Sequence, residues 1–97
     1  METFPRQLYI IPIQTFTESL VIATALRDSG INVDIDLMDR GISKNLDYAN
    51  SQKVPFVAFI GETEIAQQKI KLKNMITGTE ELVNLEKAYE QIIKERK

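Results

Sequence analysis

Two stretches, QLYIIPI at Gln7–Ile13 and PFVAFI at Pro55–Ile60, decide the fold of this chain. Each is short and almost continuously apolar, a pattern typical of a strand that is buried on both faces. Strands of this kind lie at the centre of parallel sheets, where helices cover both sides. The two stretches therefore predict the central strands of an α/β domain.

The segment between these stretches predicts a helix, a strand and a second helix. Thr15–Glu18 (TFTE) matches a capping box and predicts a helix up to about Ser29, where Gly30 ends it. Ile31–Leu37 alternates apolar and polar residues, which indicates a half-buried strand. The second helix is predicted over about Ile42–Gln52. With short connections and right-handed crossovers, these elements give three parallel strands with helices packed on them.

The last third of the chain predicts a hairpin and a closing helix. Gly61–Gln68 is expected to form a turn or a single helical turn. Lys69–Lys73 and Glu80–Asn84 are predicted strands, joined by a hairpin turn at Met75–Thr79. Glu86–Lys94 has the periodicity of an amphipathic helix. The predicted fold is therefore α/β and three-layered: βαβαβ, then a β-hairpin and a C-terminal helix, making a mixed five-stranded sheet with three helices.

Length and composition narrow the classes of function. A chain of 97 residues is expected to form one domain, with poorly ordered ends at residues 1–6 and 95–97. It contains no Cys and no His, which removes disulfides, Cys nucleophiles, His bases and the common zinc ligand sets, so no metal site is expected. It has neither an apolar run long enough to span a membrane nor a signal peptide at its N-terminus, so a cytosolic location is expected.

Positive charge is concentrated in the middle of the chain. The net charge is −2 overall, yet residues 37–73 contain six basic and four acidic side chains. Nucleic acid, if bound, would therefore contact a local patch. Period-two alternation in KIKLK predicts that Lys69, Lys71 and Lys73 share one face, close to Glu64. Two explanations stay open for these lysines: contact with RNA phosphates, or protection of an edge strand against association with other strands.

Other candidate sites are weaker. The loop after the first strand, Pro12–Phe16, contains no glycine, which argues against a dinucleotide or phosphate-binding loop. Asp34 and Asp36 are interpreted as lying on the solvated face of their strand. Arg40 and Lys44 lie around the start of the second helix, where two cations beside a helix N-terminus could hold a phosphate.

The order of the short motifs resembles a known family. LYIIPI, ALRDSGINVDIDL, DRGISKNLDYANSQKVPFVAFIGETE and KIKLKNMITGTEELV are together similar to the anticodon-binding domain of class IIa aminoacyl-tRNA synthetases. Within that group they are most similar to the C-terminal domain of histidyl-tRNA synthetases, over residues 7–93. The equivalent domain of a threonyl, prolyl or glycyl enzyme is the alternative, as is a free-standing relative that acts as a protein-interaction or regulatory subunit.

The resemblance implies a function and a set of site residues. It implies that Glu64 and Lys73 contact anticodon bases and that Arg40 and Lys44 face the anticodon loop, while Lys69 and Lys71 match the family less firmly. The expected partners are a tRNA anticodon loop and the catalytic domain of the same synthetase. No cofactor is expected in this domain, since ATP and Mg²⁺ would serve that catalytic domain, and the chain alone is expected to be non-catalytic. Tyr48 is the nearest aromatic candidate for base stacking.

Overall fold

The computed structural model describes residues 7–36 and 41–94. The strands and helices within these residues alternate in the order that the sequence predicts, with one additional helix. In chain order they are β1 (Leu8–Pro12), α1 (Phe16–Asp28), β2 (Val33–Ile35), α2 (Ile42–Ser51), β3 (Phe56–Ile60), α3 (Glu62–Gln67), β4 (Ile70–Asn74), β5 (Glu80–Val83) and α4 (Leu85–Lys94). Two predicted features fall outside the described residues: Arg40 and the chain ends.

The five strands form one mixed sheet in the order β2-β1-β3-β4-β5. β1 is parallel to both β2 and β3, whereas β4 is antiparallel to both β3 and β5. β1 and β3 are the two apolar stretches of the sequence, and their residues are almost all buried. The predicted fold class is thus confirmed, because these two strands occupy adjacent positions inside the sheet.

Helices cover the sheet on both sides, which makes three layers. On one face, α1 and α4 contribute Ala23, Leu26, Ala88 and Ile92 to a core with alternate residues of the strands. On the other face, a smaller core forms around Ala49 of α2 and includes these residues: Tyr9, Ile11, Val54, Val57 and Phe59. The two faces are called here the α1/α4 face and the α2 face.

The additional helix, α3, has six residues where a turn or a single helical turn is predicted, so the described part of the chain has four helices rather than three. The Glu64 carboxylate accepts a hydrogen bond from the Gly61 N–H at 2.7 Å, which satisfies a donor at the helix start. At the other end Gln68 adopts a left-handed conformation and the Lys69 N–H donates to the Glu64 carbonyl at 2.9 Å. Hydrogen bonds among residues 61–69 therefore cap both ends of this short helix.

The capping box predicted at the start of α1 is wrong, although the helix begins where the sequence placed it. Thr15 occupies the N-cap position without a side-chain capping bond, and its hydroxyl donates instead to the carbonyl of Ile60 at 2.5 Å. The Thr15 hydroxyl thus bonds to a buried carbonyl at the end of β3 and does not cap the helix. The predicted C-terminus is confirmed: Gly30 has φ of +99°, a conformation that costs glycine little.

The idea that the lysines protect a sheet edge is also wrong. β4 is hydrogen-bonded to β3 on one side and to β5 on the other, so the edges of the sheet are β2 and β5. An interior strand presents no free backbone groups for another chain to pair with. The lysines of β4 therefore need a different explanation.

Candidate nucleic-acid interface

Lys71 and Lys73 project from the α2 face of β4. Their strand neighbours Ile70 and Leu72 belong to the core on the opposite face, and alternation places the lysines on the other side. In the sheet register, Lys71 lies opposite Phe59 and Lys73 lies opposite Val57, both of which belong to the core on the α2 face. The lysines therefore extend the polar surface beside α2.

Lys69 is separated from this pair. It precedes the first residue of β4 and lines an apolar groove of about 590 Å³ with Val21, Ile65 and Leu85. That groove lies on the α1/α4 side, because Ile65 and Leu85 pack against the core of that face. The structure thus brings two of the three lysines of KIKLK together and leaves the third at a different surface.

Glu80 lies between Lys71 and Lys73. Its two carboxylate oxygens are 3.8 Å from the Lys71 Nζ and 3.7 Å from the Lys73 Nζ. The side chains of Lys71, Lys73 and Glu80 are 49%, 25% and 41% exposed, and pairs at the surface contribute only about 0–1 kcal/mol. An incoming phosphate could therefore replace Glu80 as the partner of both ammonium groups at small cost.

The Glu80→Gln variant is expected to bind RNA about 3-fold more tightly, because it removes a negative charge that competes with the phosphate for Lys71 and Lys73. Its thermal unfolding should change little. Glu81→Gln is the matched control: Glu81 lies opposite Leu72, so its side chain belongs to the α1/α4 face. An equal gain in affinity for both variants, measured by fluorescence anisotropy, would contradict a local effect of Glu80.

Glu64 lies at the end of the sheet where β3 leads into α3. Its Oε1 atom is the one that accepts the Gly61 N–H, and a methyl group placed on Gly61 would lie 2.8 Å from that oxygen. The β3–β4 register places Lys71 nearer to this end than Lys73, because β3 runs from Val57 through Phe59 towards Gly61. The predicted joint action of Glu64 and Lys73 stays a prediction.

Lys44 is exposed in the first turn of α2, the helix that covers the face from which Lys71 and Lys73 project. Its predicted companion Arg40 lies outside the described residues. The N-cap of α2 is Gly41, which has no side chain to satisfy the first N–H groups of the helix. The basic side chains on this side of the molecule are thus contributed by α2 and β4 together.

A buried polar network holds the start of α2, and the sequence did not predict it. The Tyr9 hydroxyl donates to Asn45 Oδ1 at 2.7 Å, while Asn45 Nδ2 donates to Asp36 Oδ2 and to the Gly41 carbonyl, both at 2.8 Å. Asn45 is 0% exposed and Asp36 4%, so the interpretation of Asp36 as a solvated residue is wrong. A tyrosine within a buried apolar strand was the signal that a polar partner was needed.

Tyr48 is part of the packing beneath α2. Its half-buried ring lies against Tyr9 with a centroid separation of 5.5 Å and an angle of 49° between the planes. This tilted arrangement is typical of stabilising aromatic pairs. A ring engaged in this way has less surface to offer to an RNA base.

The fold is that of an α/β domain in which Lys44, Lys71 and Lys73 lie on the α2 side of a mixed sheet. A family model described as an anticodon binding domain matches residues 7–95, and the chain belongs to that family.

Named relatives indicate which class of synthetase the chain resembles most. The chain is 47% identical over 75 residues to histidine–tRNA ligase 2 of Shouchella clausii, which covers 77% of this chain and 18% of that protein. It is 40% identical over 82 residues to the histidine–tRNA ligase of Methanococcus maripaludis, covering 80% and 20% respectively. The chain thus spans about a fifth of the length of these relatives.

Solved structures agree with this comparison. The histidyl-tRNA synthetase of Nostoc sp. PCC 7120 superimposes with a TM-score of 0.87 and 29% identity, covering 93% of this chain and 22% of that one. The RNA binding domain of threonyl-tRNA synthetase from Cryptosporidium parvum gives a TM-score of 0.84 with 22% identity, covering 93% and 23%, and supports the fold alone. The predicted resemblance to histidyl-tRNA synthetases is confirmed.

Across residues 7–36 and 41–94, no helix combines the length and apolar character needed to cross a membrane.

Proposed function

We propose that this chain recognises the anticodon loop of histidine tRNA as the anticodon-binding domain of a histidine–tRNA ligase. The observation that carries the proposal is the pair of lysines, exposed Lys71 and half-buried Lys73, on an interior strand where edge protection does not explain them. The separate catalytic domain of the same ligase would charge the acceptor end and would use ATP and Mg²⁺. This domain then contributes affinity and selection and no chemical step.

Each basic side chain has a defined role in this proposal. Lys71 and Lys73 exchange Glu80 for phosphates, and Lys44, together with Arg40 four residues earlier in the sequence, contacts the RNA backbone from the side of α2. Release of the ions condensed on RNA supplies much of the affinity. Lys69 lies on the α1/α4 side of the sheet, so the phosphate that it contacts belongs to a different part of the RNA.

In the same proposal, Glu64 distinguishes the bases of the anticodon loop. One of its oxygens is held by the Gly61 N–H, and the other can accept from the amino or imino edge of an unpaired base. Because the capping bond fixes the carboxylate, its position is set before RNA binds. Lys73 adds a donor nine residues further along the chain, as the family resemblance implies.

The proposal is tested by titrating the chain with a short RNA hairpin that carries the histidine anticodon loop, at several salt concentrations. The logarithm of the binding constant is expected to fall linearly with the logarithm of the salt concentration, by about 0.7 per phosphate contact. The same stem with a scrambled loop should bind at least several-fold more weakly. Equal affinity for both hairpins at every salt concentration would contradict anticodon recognition.

Two substitutions at Glu64 separate its structural role from base recognition. Glu64→Gln retains an oxygen for the Gly61 N–H and should leave thermal stability nearly unchanged, whereas Glu64→Ala loses a helix cap at a cost of about 1 kcal/mol. Both variants should reduce the preference for the histidine anticodon loop over the scrambled loop. If Glu64→Gln retains the full preference, the carboxylate takes no part in reading bases.

A further inference from the structure

Two apolar side chains are exposed where β1 leads into α1, one in the connecting loop and one at the first residue of the helix. Ile13 is 40% exposed and Phe16 is 44% exposed. Phe is among the residues most often buried in folded proteins, and an exposed ring next to a polar surface frequently marks a contact site. This loop lies at the carboxyl end of β1, beside the end of β3 that leads into α3.

The loop is held firmly despite its exposure. The Ile13 N–H donates to the Ile60 carbonyl at 2.9 Å, and the hydroxyl of Thr15 donates to the same oxygen. Between them, Gln14 has φ of +59°, a left-handed conformation that costs a residue with a side chain about 1 kcal/mol. Conformations of this kind persist where the surrounding contacts fix them, and they are frequent at ligand-binding sites.

The same loop lies beside Glu64. A methyl group placed on Gly61 would lie 3.8 Å from the Cβ of Ile13 and 2.8 Å from Oε1 of Glu64, so these two side chains flank Gly61. Phe16 directly follows Thr15, whose hydroxyl is bonded to the residue before Gly61. An exposed aromatic residue and a carboxylate held by a hydrogen bond thus lie around one junction of the fold.

We propose that the ring of Phe16, with Ile13 beside it, forms a stacking platform for an unpaired base of the bound RNA loop. This inference rests on the proposed function. It adds Phe16, a residue that the family resemblance did not assign to the site. Stacking suits a base next to the one that Glu64 reads, because every base has an aromatic face and only its edge carries sequence information. Tyr48, the aromatic candidate of the sequence, is packed against Tyr9 instead.

The test uses Phe16→Ala with the histidine anticodon hairpin, in which 2-aminopurine replaces one loop base at a time. Loss of a base–aromatic stack is expected to weaken binding by between about 5-fold and about 100-fold, without a change in the salt dependence. At saturating protein, 2-aminopurine at the stacked position should be brighter with Phe16→Ala than with the unmodified chain. Phe16→Trp should retain tight binding and low fluorescence.

Val21→Ala is the matched control, because Val21 is an apolar residue of the same helix, 67% exposed, that lines the groove beside Lys69. It should bind within about twofold of the unmodified chain. If Phe16→Ala also binds within twofold while Lys71→Ala weakens binding, the platform is wrong and the proposed function stands. If the unmodified chain binds the histidine loop and a scrambled loop equally, the proposed function is wrong. The stacking platform, which rests on it, is then wrong as well.

Discussion

The Asn45→Ala variant is expected to lose about 3–5 kcal/mol of unfolding free energy. Asn45 is fully buried and makes three hydrogen bonds, to Tyr9, Asp36 and Gly41. A buried hydrogen bond to a charged group contributes about 1.5–3 kcal/mol and a neutral one about 0.5–1.5 kcal/mol. In a domain of this size, the loss should lower the melting temperature by at least about 12 °C.

Asn50→Ala provides the control for this prediction, since Asn50 is exposed in the same helix. Its unfolding free energy should remain within about 0.5 kcal/mol of that of the unmodified chain. Thermal and urea unfolding followed by circular dichroism measure both variants. Equal melting temperatures for Asn45→Ala and Asn50→Ala would show that the network adds no stability.

Replacing Lys71 and Lys73 together by alanine is expected to weaken RNA binding about 25-fold at 0.1 M salt, because two phosphate contacts and their released ions are lost. The slope of log K against log salt should fall by about 1.4. Stability should change little, since both lysines pair with the exposed Glu80 in salt bridges of small energy. Anisotropy titrations at four or more salt concentrations measure both quantities.

The matched control replaces Lys87 and Lys94 by alanine, which changes the net charge by the same amount. Both are exposed residues of α4, the helix on the opposite side of the sheet. This double variant should retain most of the affinity and of the salt dependence. Equal losses for the two double variants would mean that overall charge, and not the α2 face, controls binding.

The sequence was sufficient to predict the five strands and three of the four described helices, because their signals are local. β1 and β3 are recognisable from continuous apolar runs, and the end of α1 from Gly30. The position of β4 inside the sheet could not be predicted, because alternation shows which residues share a face and not which strands are neighbours. The interpretation of its lysines as edge protection failed for that reason.

The candidate site was predicted in part. Alternation placed Lys71 and Lys73 on one face correctly, but it could not show that Lys69 precedes the strand. The polar network of Asn45 was missed because a buried asparagine and an exposed one have the same appearance in a single sequence. The structural use of Glu64 as a cap was hidden as well, since a Gly at the N-cap position contributes no side chain to a capping box.

The unequal size of the two cores has a consequence for the native-state fluctuations of the domain. Within residues 7–36 and 41–94, fourteen buried residues form the core of the α1/α4 face, whereas six form that of the α2 face. Segments that bury less apolar surface open at lower free energy, so backbone amides of α2 should exchange with deuterium before those of α1 and of the central strands. The layer that carries Lys44 can therefore adjust to a bound loop while the sheet and the opposite layer remain closed.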